Sequence, residues 1–272
     1  MNKIKTATRL SALIISALAA ITFPFNVSAQ EQESVEIKTI TLQLNNFDAI
    51  DLAAPAKVHI YQSKEFRVEL KGTDQQIEYV NIYVDDKELE IRKKQRTLFP
   101  HDDYSDNYPE ISIYMPKFKE LSARRAGHII IETTFNSKQL SIETSSAGRI
   151  DAMHLLSTES IDIDAGAASV VNLSKLQAER ASVEGSSAAS IKLTGPSVAQ
   201  ELKAYVSSAS NLNASNWECK EAYVRASSAA NAAVNATEFF TGRASSAAGI
   251  KLYGKARTDV STSSGATFRQ KR

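Results

Sequence analysis

The 272-residue sequence has one cysteine, Cys219, ten glycines and six prolines. A single thiol excludes an intramolecular disulfide and any cysteine-based zinc cluster. Aromatic residues amount to only 7%, so the 43% hydrophobic content leans on Ala, Val, Ile and Leu. Neither sign of charge dominates: 32 basic side chains face 31 acidic ones, which argues against a nucleic-acid partner held by bulk charge. No nucleophile elbow, phosphate-binding loop or dinucleotide glycine pattern is present. His59, His101, His128 and His154 fall in different segments without paired spacing, so no histidine metal site is expected.

What is present begins with an address. Lys3, Lys5 and Arg9 precede a mostly apolar stretch from Leu10 to Phe25, and Val27-Ser28-Ala29 offers the small residues that a signal peptidase reads. The strongest apolar run, Leu13 to Phe23, is shorter than the ~20 residues needed to span a bilayer. Residues 1–29 therefore read as a cleaved signal peptide, leaving no transmembrane segment and a mature chain of 29 basic and 31 acidic groups. Export is expected, with periplasm, outer cell surface and secretion all open.

The body of the sequence repeats. Ser145-Ser146-Ala147, Ser186-Ser187-Ala188, Ser207-Ser208-Ala209, Ser227-Ser228-Ala229 and Ser245-Ser246-Ala247 recur in one setting, with variants at 124, 166 and 263, at intervals of 18–21 residues. Apolar residues alternate before each slot, as in Ile161-x-Ile163, and after it, as in Ile191-x-Leu193. Period-two alternation belongs to strands with one buried face. Too little chain separates the repeats for helices, so the strands stack in parallel as the rungs of a β-solenoid. The Ser-Ser-Ala segments become the corners, where small residues suit stacking at ~4.8 Å.

Residues 121–272 thus read as a Ser/Ala-cornered solenoid of about 20-residue rungs. Residues 30–120 read as an N-terminal β region, continuous with it in one all-β domain. Ile50 to Ile60 looks like a first rung. Phe66-x-Val68-x-Leu70, Val80-x-Ile82-x-Val84 and Leu89-x-Ile91 look like antiparallel strands that join or cover it, with a hairpin turn at Asp85-Asp86-Lys87. Cys219, beside Trp217, reads as a small buried filler. The polar loop from His101 to Tyr108 lacks the glycine and distal glutamate of a calcium loop and reads as a surface insertion.

This layout resembles the autotransporter adhesin head domain family, the head GIN domain, found in exported proteins of Bacteroidetes-like bacteria. The residues that carry the likeness are Phe47-Asp48-Ala49-Ile50, Val58-His59-Ile60, Leu89-Glu90-Ile91 and the corner repeats. The resemblance covers about residues 40–268. It implies a right-handed, all-β parallel helix at the cell envelope with an adhesin role and no catalytic residues to carry over.

The repeat register also aligns the outward side chains. One column runs Glu143, Asp164, Glu184, Tyr205, Arg225, Arg243; its neighbour runs Ser141, Asp162, Ser182, Lys203, Tyr223, Thr241. Glu143, Asp162, Asp164 and Glu184 read as a solvated acidic strip, as a Ca²⁺ site, or as a carboxylate pair spaced for retaining glycoside hydrolysis. Lys203, Tyr205, Tyr223, Arg225 and Arg243 read as a sugar or anionic-polysaccharide patch, or as cross-strand pairs that only stabilise the sheet. The expected protein is a non-catalytic binding module for polysaccharide or for an envelope or matrix protein, with calcium as the one candidate cofactor. A carbohydrate-active β-helix enzyme and a purely structural envelope protein are the alternatives.

Overall fold

Alternating apolar residues, broken at regular intervals by small polar corners, commit the chain to strands that bury only one face. A computed structural model of the protein describes residues 36–94, 108–196 and 198–271. The signal-peptide reading of residues 1–29, and all of the 101–108 loop except Tyr108, lie outside the described residues. The rest is a β-solenoid of about seven turns with a mixed antiparallel start.

The start holds β1 (Lys38–Leu42), β2 (Ala49–Ala53), β3 (Lys57–Gln62), β4 (Arg67–Gly72), the short α1 (Asp74–Glu78), β5 (Val80–Asp85), β6 (Glu88–Lys93) and β7 (Glu110–Met115). The solenoid continues through β8 (Glu120–Ala123), β9 (His128–Ile131), β10 (Phe135–Thr144), β11 (Arg149–Ala165), β12 (Val170–Gly185) and β13 (Ser190–Thr194). It ends with β14 (Ala199–Val206), β15 (Asn211–Ala226), β16 (Asn231–Ala244), β17 (Gly249–Tyr253), β18 (Arg257–Thr262) and β19 (Thr267–Lys271).

The strands β2 and β3 form the first rung in the register that the sequence suggests, pairing in parallel with β8 and β9. The next layer outward is not an antiparallel cover. The strands β6 and β7 pair in parallel with β2 and β3 from the other side, so a later segment makes a rung outside an earlier one. Antiparallel strands cap that layer: β5 lies on β6, β4 on β7 and β1 on β4. The β5–β6 hairpin turns at Asp86 and Lys87, whose φ values of 40° and 67° fit a two-residue type I′ connection. At the opposite end the ring of Phe268 stacks on Phe240 at 5.7 Å, and Gln270 Nε2 donates to the carbonyls of Gly254 and Ala256.

The inward columns are close-packed. Ile142, Ile163, Val183, Ala204 and Val224 follow one another in the ladder, all at 2% exposure or less. Cys219 is fully buried; burial and the nearby Glu218 carboxylate push its thiol up to about 12. The Trp217 indole, also fully buried, donates to the carbonyl of Leu176 at 3.1 Å.

Each Ser-Ser-Ala corner is a type I′ turn made from non-glycine residues. Ser187 and Ala188 have φ of 50° and 64°, and the same pair of positions is left-handed at every corner from Arg125-Ala126 to Ser264-Gly265. The turn closes through Ala189 N donating to Ser186 O at 3.0 Å, while Ala188 N donates to Ser208 O of the next rung at 2.9 Å. That inter-rung bond offsets a left-handed cost of ~1–2 kcal/mol per residue. Glycine carries no such cost, and Ala188 is exposed. Ala188→Gly is therefore expected to stabilise the domain by about 1 kcal/mol, raising the melting midpoint by ~2–4 °C. An unchanged or lower midpoint would show that the stack, and not the side chain, sets the corner energy.

Candidate functional site

The outward columns stand as the repeat spacing predicts. Glu143, Asp164, Glu184, Tyr205, Arg225 and Arg243 are successive ladder partners, and so are Ser141, Asp162, Ser182, Lys203, Tyr223 and Thr241. Parallel pairing fixes neighbours in a column at ~4.8 Å strand spacing. Both columns stand on the strand segments that lead into the corners.

Glu143, Asp162, Asp164 and Glu184 are all exposed, and none is in an ion pair with a described residue. They form a ladder and not a cage: among the described residues no group of three His, Cys, Asp or Glu side chains is placed to hold a metal ion. The acidic strip runs further than the corner repeats reveal. The column of Glu143 continues through Ser122 to Asp51 and Glu90, and its neighbour reaches Glu120 and Glu88. Burial, followed by repulsion from Asp51, Glu90 and Glu120, raises the Glu88 carboxyl above its ordinary value.

Asp51, 2% exposed, is neutralised by Arg92 Nη2 at 2.5 Å and by Arg124, whose Nε donates to Oδ1 at 3.1 Å. This pairing accounts for Arg124 at a corner position where later rungs carry serine or, at Gly166, glycine.

On the later rungs the rings of Tyr205 and Tyr223 lie 5.8 Å apart, tilted by 54°. Lys203 pairs with Glu201 at 3.0 Å, and Arg243 binds both carboxylate oxygens of Asp259 at 2.8 and 3.2 Å. Arg225, exposed between Tyr205 and Arg243 in the ladder, is in no ion pair among the described residues. The centre of this patch is therefore Tyr205, Tyr223 and Arg225, flanked by cations that already have partners.

The opposite face of the early rungs carries two groups that sequence spacing hides. His59 Nδ1 lies 2.6 Å from Glu132 Oε1, and its Nε2 lies 3.9 Å from Glu110. This imidazole lines a cleft of about 690 Å³ with Lys57, Lys71, Gln76 and Tyr108. His128 Nε2 contacts Asp151 Oδ2 at 2.6 Å, and Arg149 and Asn172 also donate to that carboxylate. The usable signal was the register of the first rung, which sets Lys57 opposite His128 and His59 opposite Ile130.

Burial alone would raise the Asp151 carboxyl, but the bonds from His128, Arg149 and Asn172 hold it well below the ordinary 3.8. A depressed folded-state value contributes stability above the unfolded value and loses it as pH falls towards the folded one. Asp151→Asn is expected to destabilise the protein by about 1.5–3 kcal/mol at pH 7. The gap from wild type should narrow once pH drops below about 4. Urea melts at pH 7 and pH 3 with an equal gap would contradict this role.

Residues 46–256 match the family described as "Putative auto-transporter adhesin, head GIN domain". The chain belongs to that family. Among solved structures, this head GIN domain is similar to a "putative adhesin" from Parabacteroides merdae, at 16% identity and a TM-score of 0.77, over 88% of this chain and 98% of that one. A "putative lipid binding protein" from Parabacteroides distasonis matches at 15% identity and 0.78, with the same coverage. A "putative adhesin" from Bacteroides fragilis matches at 18% and 0.63, over 87% and 97%. At these identities the likeness shows the fold. No curated protein matches the head GIN domain's sequence. No helix among the described residues is long and apolar enough to cross a membrane.

Proposed function

We propose that this head GIN domain is an exported, non-catalytic binding module that holds acidic polysaccharide on the strand face around Tyr205, Tyr223 and Arg225. The observation that carries the reading is the ladder itself. It sets two partly exposed phenol rings beside an arginine with no ion-pair partner among the described residues, in columns that continue from rung to rung. Aromatic rings stack on sugars and the guanidinium attracts a carboxylate or sulfate. The family description and the adhesin names of its structural neighbours support a binding role over catalysis.

The acidic half of the face adds a calcium arm, in which neighbouring carboxylates among Glu143, Asp162, Asp164 and Glu184 supply part of the ion's oxygen shell and an acidic ligand supplies the rest. The test is a glycan and matrix-protein array probed with residues 30–272, with and without Ca²⁺, beside a reducing-sugar release assay. Binding to acidic glycans without sugar release supports the proposal, and stronger binding with Ca²⁺ supports the calcium arm. Sugar release would favour a hydrolase or lyase. A silent array would favour a structural envelope role, and hits confined to matrix proteins would replace the polysaccharide.

A further inference from the structure

A second charged feature lies several rungs before the tyrosines, where the connection from β7 to β8 runs beside the start of β10. A cleft of about 590 Å³ opens there, lined by Lys117, Lys119, Asn136, Ser137, Lys138 and Gln139. Its backbone is anchored on both sides. Lys119 N donates to Asp48 O and Ser141 N to Lys119 O, both at 2.7 Å, and Thr158 Oγ1 donates to Lys138 O at 3.0 Å. Phe118 and Phe135, buried with ring centroids 4.7 Å apart, fix the segments beneath.

The charges at this cleft do not balance. Lys119 Nζ lies 2.5 Å from Asp48 Oδ2, whereas Lys117 and Lys138 are exposed and in no ion pair among the described residues. A smaller cleft of about 330 Å³ shares Lys117, includes Asp48, and adds a further exposed cation, Lys87, beside Phe47, Phe66 and Pro116. Lys117, Lys119 and Lys138 line the larger cleft and Lys87 the smaller one, against the Asp48 carboxylate and that of Glu159, which the β10–β11 register sets beside Lys138. The remaining positive balance favours a compact, multiply charged oxyanion. Lysines serve such a group as point charges, and the Asn136 and Gln139 amides supply neutral donors.

We propose that the Lys117–Lys138 cleft binds a phosphate group, carried either by a free phosphate or by the headgroup of an anionic lipid. The apolar wall of the adjoining cleft would meet whatever the phosphate is attached to. This site is independent of the polysaccharide face, and either can fail without the other.

The test uses residues 30–272 as wild type, as Lys117→Gln/Lys138→Gln, and as Lys192→Gln/Lys251→Gln, which removes equal charge from exposed lysines elsewhere. Inorganic phosphate is titrated by calorimetry, and vesicles of phosphatidylglycerol or of phosphatidylcholine are co-sedimented with each protein. The expected result is binding to phosphate or to phosphatidylglycerol vesicles that falls about ten-fold or more in the cleft variant and is retained in the control variant. Phosphate binding would identify the free ion as sufficient, and binding to phosphatidylglycerol vesicles alone would identify the lipid headgroup. No binding to either probe, equal binding to phosphatidylcholine, or an equal loss in the control variant would overturn the proposal.

Discussion

Val224→Asp is expected to abolish the cooperative thermal transition of residues 30–272, whereas Arg225→Asp, one residue away, is expected to leave it in place. Val224 is fully buried in an inward column between Ala204 and Gly242. A carboxylate there has no cation within the column and loses its hydration, at a cost of several kcal/mol. Domains are stable by only ~5–15 kcal/mol, and a solenoid transmits the loss of one rung to its neighbours. Arg225 points outward from the same strand, so its replacement changes surface charge alone. Circular-dichroism melts of the two variants separate the faces. A cooperative transition in Val224→Asp at the wild-type midpoint would invalidate the inward assignment.

The second large effect is expected at Gly148, directly after the corner at Ser145. A Cβ added there would lie 1.9 Å from the carbonyl oxygen of Ala123, which itself accepts the inter-rung bond from Ser145 N at 3.2 Å. The clash is with backbone, so one of the two rungs must move. Gly148→Ala is expected to cost about 3 kcal/mol. Gly166→Ala is the matched control, since its added Cβ would meet only the Ser186 hydroxyl at 3.2 Å. Equal midpoints for the two variants in urea would show that the rungs yield more easily than the geometry indicates.

The solenoid was legible because alternation and corner recur together: Ile161-x-Ile163 and Ile191-x-Leu193 leave one inward face and one stacking register. The same register placed every outward residue of the two columns, which is why Tyr205 meets Tyr223 where the repeats put them. Spatial order at the start was not legible. Alternation in Leu89-x-Ile91 identifies a strand but carries no information on which neighbour it pairs with or in which direction. The chain uses that freedom to add β6 and β7 outside β2 and β3.

The left-handed corners were hidden for a different reason. Serine and alanine disfavour positive φ locally, and only the inter-rung bonds seen in the folded stack hold them there. Pairs such as His59 with Glu132 join residues 73 apart in sequence, and they emerge only once β3 is set against β9. The acidic strip was half legible. Its solenoid portion followed from the repeats, while Glu88 and Glu90 joined it through the β2–β6 pairing that the repeat does not predict.

If the aromatic rungs are the binding surface, an array run in parallel with Tyr205→Ala/Tyr223→Ala must register their loss. The variant removes a ring pair worth ~0.5–1.5 kcal/mol to the sheet, so its melting midpoint is measured beside its binding. The variant is expected to fold and to bind acidic glycans about ten-fold or more weakly. Full glycan binding by that folded variant would contradict the binding role and leave Tyr205 and Tyr223 as cross-strand supports of the sheet.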